Sequence, residues 1–286
     1  MTTYAVTAAT GHLGRLAVAE LLRRGVAPAE LVAIARTPAK AADIAALGVE
    51  VREGDYSRPE TLAPALAGID RLLFISGSEA GRRVAQHANV VAAARTAGVG
   101  RIAYTSILKA GATSNPLAPE HQATEQALRE SGIPVTFLRN GWYLENYTSQ
   151  LAGYVARGEI LGATGTGRVA GAARADYAAA AAAALLADAP DEAYELGGTP
   201  FTFAELAATV SAETGRDVAY RDVTVPELVA ALQAAGLDEG TASFVAAIDA
   251  AIAAGELDTD SGDLERLLGR PATPLADAVR EAKAAL

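Results

Sequence analysis

The stretch YAVTAATGHLG, residues 4–14, starts as a strand and ends as a helix. Apolar Tyr4–Val6 gives way to small residues, and Leu13 opens a run with helical spacing. Gly11 and Gly14 stand three apart between the two. A dinucleotide loop needs this spacing. Its backbone must approach a pyrophosphate closely, and the helix behind it offers free N–H groups and a favourable dipole end. Two glycines in a bare turn would look similar, but their place after the first strand favours binding. Ala8, Ala9, Thr10, Gly11, His12, Leu13 and Gly14 are therefore cofactor-binding candidates. Ala8 departs from the pattern, because it stands where the first glycine usually serves the tight turn. An alanine forced into a left-handed conformation there would cost roughly 1–2 kcal/mol.

The alternation continues outward from this loop. Apolar runs at 31–35, 49–51, 71–76, 101–106 and 135–139 read as strands, separated by helical spacing over 13–24, 38–47, 59–66, 82–97 and 120–130. This beat predicts an α/β fold, a Rossmann-type doubly wound parallel sheet with helices on both faces. Gly25, Gly48, Gly68, Gly98 and Gly132 follow the helices, at the place of C-terminal caps. After residue 140 the beat changes. YVARGEILGATGTG is glycine-rich and irregular, ARADYAAAAAAALLAD is a strong helix for close packing, and AYELGG (193–198) is one more strand. Helices are expected over 203–214, 225–235, 241–254 and 274–285. The predicted organisation is an NADP-binding domain of residues 1–140, completed by about 165–198. Residues 141–164 and 199–286 form a smaller, largely helical C-terminal substrate domain.

Composition narrows the function. Half of the 286 residues are hydrophobic, so a substantial core can form. The net charge of −10 speaks against nucleic acid as a partner, though not against a local basic pocket. No run is long and unbroken enough for a membrane span, and the start lacks a signal-peptide pattern. With no cysteine and only three histidines, thiolate chemistry is absent and a metal site is not expected. A soluble cytoplasmic protein is predicted, with homo-oligomerisation left open.

In an open α/β sheet, ligands sit beyond the carboxyl ends of the strands. Strand two ends in AIARTPAKA, where a carboxylate would suit the ribose of NAD and an arginine the 2′-phosphate of NADP. Arg36, with Lys40 one turn on, points to NADPH. Asp55 ends strand three and is a candidate for the adenine edge, or for a plain turn. Ser76, Gly77 and Ser78 end strand four, small enough for the cofactor to lie against the backbone. Thr105 and Ser106 end strand five. LRNGWYLENY (138–147) follows strand six and gathers the sole tryptophan with two tyrosines, in a chain with 5% aromatics. Its position places Arg139, Asn140, Gly141, Trp142, Tyr143 and Tyr147 where the nicotinamide ring and a flat substrate should meet. Core packing is the competing reading of the aromatic rings.

TAATGHLG, VAIARTPAKA, GDYS, RIAYTS, EHQATE, LRNGWYLENY and RADYAAAAA, in this order, resemble the NmrA-like group of atypical short-chain dehydrogenase/reductases. The resemblance spans nearly the whole chain. It implies an NADPH-binding Rossmann domain, a small C-terminal substrate domain and two-electron reduction of quinones. It assigns the phosphate loop to Ala8–Gly14, the 2′-phosphate to Arg36, and the nicotinamide side to Ser76–Ser78 and Arg139–Tyr143. The Tyr-x-x-x-Lys pair of typical short-chain dehydrogenases is missing. EHQATEQAL stands in its place, with His121 and Glu125 four apart. A simple ketone would lack its proton donor, whereas a reduced quinone is a stabilised oxyanion that water can protonate. His121 is either a proton donor or a solvated helix-start residue. Two other functions stay open: an NADP-binding redox sensor without turnover, and a carbonyl or imine reductase.

Overall fold

β-Branched and aliphatic residues fill the central strands, and alanine-rich stretches with helical spacing cross between them. The computed structural model describes residues 1–285. The first half runs β1 (Tyr4–Val6), α1 (His12–Arg23), β2 (Leu31–Ala35), α2 (Ala42–Ala45), β3 (Glu50–Glu53), α3 (Pro59–Ala65), β4 (Arg71–Phe74), α4 (Arg83–Ala97), β5 (Arg101–Ile107), α5 (Ala118–Glu130) and β6 (Val135–Asn140). There follow β7 (Trp142–Tyr143), α6 (Glu145–Thr148), α7 (Leu151–Arg157), β8 (Glu159–Gly162), β9 (Arg168–Val169), β10 (Gly171–Ala172), α8 (Arg174–Leu186) and β11 (Ala193–Leu196). The chain ends with β12 (Phe201–Thr202), α9 (Phe203–Thr214), β13 (Ala219–Asp222), α10 (Val225–Ala234), α11 (Glu239–Ala253), α12 (Asp263–Leu268) and α13 (Leu275–Ala284).

Seven strands form one sheet in the order β11-β6-β5-β4-β1-β2-β3, and β1 to β6 pair in parallel. This is the doubly wound sheet the alternation predicts. The order reverses beside β1, so the ends of β1 and β4 border a switch point. β2 is buried at every position, as a strand covered on both faces must be. The alanines of α8 let it pack closely on α1. The expected helix over 38–47 is broken instead into a 3-10 turn, Pro38–Ala41, and the single-turn α2. Arg15 bridges the two pieces: its Nη2 donates to the Lys40 carbonyl at 2.6 Å and its Nη1 pairs with Asp43.

The chain divides into two compact units. The first comprises Met1–Ala110, Pro119–Asn140 and Arg174–Tyr194; the second comprises Gly111–Ala118, Gly141–Ala173 and Glu195–Leu286, its final residue lying outside the described residues. Three segments depart from the expected boundaries, the shortest being 195–198, which goes with the second unit. Residues 165–173 go with the second unit because β9 pairs with β12 and β10 with β7. Residues 111–118 go there too, held by Glu256, which accepts hydrogen bonds from Thr113 Oγ1 (2.6 Å), Ser114 N (2.7 Å) and Ser114 Oγ (2.6 Å). In the second unit, Thr202 with Glu205 and Thr224 with Glu227 form capping boxes that start α9 and α10. The glycine-rich stretch 154–167 is irregular only over its last five residues, 163–167. It holds the end of α7 and then β8, which pairs in parallel with β13.

α11 carries Asp249 into this second core. Its Oδ2 accepts the Ala163 N–H at 2.9 Å. Burial pushes the carboxyl up to about 6; the Ala163 hydrogen bond opposes this, and the nearby Asp222 charge adds to it. Unfolded, the group ionises near 3.8. Its stabilising contribution is therefore full below that pH and is lost as pH rises through the folded value. Asp249→Asn keeps an acceptor for Ala163 and removes the buried charge. It should stabilise the protein by about 2–3 kcal/mol at pH 8 and by little at acid pH. Urea unfolding of both proteins at pH 8 and pH 4.5 checks this. Equal shifts at the two pH values would show that Asp249 is not buried as a charge.

Candidate cofactor site

Between β1 and α1 the backbone makes the turn that the sequence implies, with an alanine in the strained place. Ala8 has φ +50°, in the left-handed region. Its carbonyl accepts from Gly11 N at 2.9 Å, while Ala9 N donates to Ile34 O at 3.1 Å. An added Cβ on Gly14 would stand 2.3 Å from the Ala8 oxygen and 2.8 Å from Ala9 Cα. Only glycine lets the first turn of α1 run so close beneath the loop. No side chain caps this 12-residue helix at Gly11, so its first N–H groups are left for an anion. The cradle fits a dinucleotide pyrophosphate. Gly11 and His12 are exposed, whereas Leu13 is buried in the core and serves packing.

The segments that follow β2 and β3 are polar. Arg36, just after β2, is exposed, and its Nη1 lies 3.2 Å from Glu79 Oε1. Lys40 is exposed as well. Asp55 organises its own turn: its Oδ1 accepts from Ser57 N at 2.9 Å and its carbonyl from Arg58 N at 2.8 Å. That is the plain-turn reading of this residue. Arg15, which joins Thr10 O to the Lys40 carbonyl, braces the loop and escaped the sequence reading. A lone arginine on a helix gives no local signal of such a job.

The ends of β4 and β5 are locked together. Thr105 Oγ1 accepts from Ser76 N at 2.8 Å and lies 3.2 Å from Ser76 Oγ. Gly77 N donates to His87 Nε2 at 2.9 Å, and Arg83 Nε donates to Gly77 O at 2.7 Å. Ser78 is exposed. Because His87 Nε2 accepts, its proton sits on Nδ1, facing Thr124 Oγ1 at 2.9 Å. Burial, with the neighbouring His121 and Arg83, lowers His87 to about 3, so it stays neutral. Neither His87 nor Arg83 showed in the sequence as anything but helix-face residues.

Three sequence-derived candidates take other roles. His121 is not a solvated helix-start residue; it is 5% exposed and its Nδ1 lies 2.8 Å from Tyr104 OH. Burial, then the Arg83 charge, lowers it to about 3, so at neutral pH it is the neutral imidazole rather than the imidazolium. Ser106 Oγ donates to Glu125 Oε1 at 2.7 Å. Arg139 grips the same carboxylate through Nε (2.9 Å) and Nη2 (2.7 Å). Burial works to raise Glu125, and the bonds from Arg139 and Ser106 outweigh it, leaving the carboxyl below its ordinary range. The guanidinium of Arg139 thus holds β6 to α5 in the place where a substrate contact was expected.

Asn140, at the end of β6, is buried, and its Oδ1 has no hydrogen-bond partner. In the second unit, Gly141 N donates to Leu196 O at 2.7 Å, and β7 sets Trp142 beside Gly171 and Tyr143 beside Ala172. Trp142 and Tyr143 are half-buried, Trp142 against the unit's apolar core. Tyr147 belongs to that core outright. Its ring meets Phe201 and Phe203 edge to face, at centroid distances of 5.8 and 5.3 Å, and its buried hydroxyl has no partner. Core packing, the competing reading, accounts for this tyrosine.

A parallel sheet with its switch point beside β1, a glycine cradle and an uncapped helix N-terminus define a dinucleotide-binding Rossmann protein. The chain belongs to the NAD(P)H-binding family, whose model matches residues 8–188. It is 44% identical to quinone oxidoreductase 2 of Escherichia coli, over 96% of each chain. The crystal structure of the E. coli NADPH-dependent quinone oxidoreductase in complex with NADPH superposes with a TM-score of 0.95 at 43% identity, covering 98% of this chain and 99% of that one. Triphenylmethane reductase of Citrobacter sp., complexed with NADP(H), gives 0.92 at 41% identity, over 98% of this chain and 100% of the other.

Strain at Ala8 should be removable. Ala8→Gly gives up about 1–2 kcal/mol of left-handed strain and costs about 0.5–1 kcal/mol of unfolded-chain entropy. The melting temperature should therefore hold or rise slightly, with NADPH binding no weaker. Calorimetry with and without cofactor checks both. Clearly weaker NADPH binding in the glycine variant would mean that the Ala8 methyl is itself a contact.

Proposed function

We propose that the protein is an NADPH-dependent quinone reductase of the cytoplasm, acting on a small-molecule quinone. One observation carries the choice of acceptor. Where a ketone reductase needs an acid, this chain has His121 and Glu125, and both are spent. One is buried and neutral beside Tyr104; the other is an ionised anchor for Ser106 and Arg139. Neither an imidazolium nor a protonated carboxyl is at hand there for a developing alkoxide, whereas a hydroquinone anion takes its proton from water. The similarity to the E. coli quinone oxidoreductase supports the same reading.

When bound, the nicotinamide supplies the hydride, and the protein supplies position. Gly11, Gly14 and the start of α1 hold the pyrophosphate, and Arg36 holds the 2′-phosphate. Ser76 and Gly77, fixed by Thr105, His87 and Arg83, would hold the cofactor's central part. Trp142 and Tyr143, in the second unit, would offer flat faces to an aromatic acceptor. No residue has to move a proton in the hydride step.

Two measurements test this. With NADPH, kcat/KM for a benzoquinone should exceed that for a simple cyclic ketone by about a hundredfold or more, the share a general acid would have supplied. Stoichiometric binding without oxidation, or turnover of the ketone alone, would overturn the reading. Cofactor preference is the second. A hydrogen bond to a charged group contributes about 1.5–3 kcal/mol, so NADPH should be preferred to NADH by about ten- to a hundredfold, and Arg36→Glu should erase this. An unchanged ratio of kcat/KM values would remove Arg36 from the site.

A further inference from the structure

The end of β4 carries a carboxylate that lies between two arginines. Glu79 Oε1 is 3.2 Å from Arg36 Nη1, and Glu79 Oε2 is 3.0 Å from Arg82 Nη1 and 3.1 Å from Gln86 Nε2. Ser57 closes the group, accepting at Oγ from Gln86 Nε2 at 3.0 Å and lying 3.3 Å from Arg82 Nη2. These residues come from the segments that follow β2 and β3, which are neighbours, and β4, which β1 separates from β2. We propose that Glu79 holds, in the free protein, the place of the cofactor's 2′-phosphate, and that Arg82 is a second arginine for that phosphate. The inference rests on the NADPH reading and adds to it a specificity-determining pair.

The chemistry favours exchange. The side chains of Arg36 and Arg82 are 68% and 66% exposed, so their pairs with Glu79 are weak and easily broken. A phosphate brings nearly two charges and more acceptor oxygens than one carboxylate, and takes both guanidiniums from it. A ribose hydroxyl, all that NADH offers, does not. The backbone on either side of Glu79 is fixed. Gly77 is held through both its N–H and its carbonyl, and Gly81 N donates to Glu120 Oε1 at 2.8 Å. Glu120 in turn pairs with the buried Arg83 at 2.5 Å. Departure of Glu79 thus needs a side-chain rotation and no loop rearrangement. Nothing in the sequence marks this pair, because Glu79 and Arg82 read as a solvated loop and helix start.

The test uses binding alone. Adenosine 2′,5′-bisphosphate and 5′-AMP are titrated calorimetrically into the wild-type protein and into Glu79→Gln, Arg82→Ala and Arg36→Ala, each checked for an unchanged melt. Arg82→Ala should weaken the bisphosphate by about tenfold and leave 5′-AMP within about twofold, as loss of one charge-assisted contact requires. Glu79→Gln should tighten the bisphosphate by about three- to tenfold, since its competitor is gone, with 5′-AMP again unchanged. The proposal is overturned if Arg82→Ala changes neither ligand or both alike, or if Glu79→Gln weakens the bisphosphate. Loss of bisphosphate affinity in Arg36→Ala alone would defeat this proposal and leave the NADPH reading standing. A wild-type protein that did not distinguish the two ligands would defeat both.

Discussion

The approach of α1 to the β1 turn sets the geometry of the whole cofactor site. With 2.3 Å between the Ala8 oxygen and where a Gly14 Cβ would be, the helix cannot carry any side chain at that position. Its axis is thereby aimed at the loop, and its uncapped N–H groups face the space where a pyrophosphate belongs. α8 packs against α1 through alanines, so the helix is held from behind by a neighbour that also comes close. The left-handed Ala8 is the cost of this arrangement. A residue held in such a conformation persists only where its surroundings over-determine it. Here Thr7 and Ala9, bonded to β4 and β2 respectively, fix the backbone on both sides.

A second constraint lies at the ends of β4, β5 and β6, where two buried polar systems join α4 and α5 to the sheet. His87 and Arg83 hold Gly77, and Glu125 holds Ser106 and Arg139. A half-satisfied system of this kind would cost more than an apolar one, since a buried unpaired charge or donor loses its hydration without return. These groups are paired, and the bed they make is stiff. That stiffness has a chemical consequence. Helix positions that could carry an acid and a base carry instead a neutral imidazole and a locked carboxylate.

Much of the sheet was legible because the first half obeys local rules. Strands of β-branched residues, helices of helical period and glycine caps at positive φ, such as Gly98 at +72°, all agree. β8 and β13 were not legible. They pair across more than fifty residues, and β13, AYRD, is too polar and exposed to read as a strand. The four two-residue strands exist only through their partners. At the candidate site, the tight turn between β1 and α1 was visible because the spacing of Gly11 and Gly14 carries its geometry. Arg139, Ser106 and Tyr147 were visible as polar or aromatic groups in the right segment. Their actual partners, Glu125 and the Phe201–Phe203 pair, lie 14 or more residues away along the chain, beyond what spacing reports.

Strain, stiffness and the choice of acceptor belong together. An enzyme that must protonate an alkoxide needs a titratable group near neutral pH, and a mobile proton needs a solvated or adjustable partner. Burying His121 and Glu125 gives up both. Hydride transfer to a quinone then depends on position, where a misplacement of about 1 Å costs roughly a hundredfold in rate. A rigid bed serves that task better than a proton donor would. Acceptors whose reduced form is a stable oxyanion are the ones for which the exchange of acid catalysis for position carries no loss.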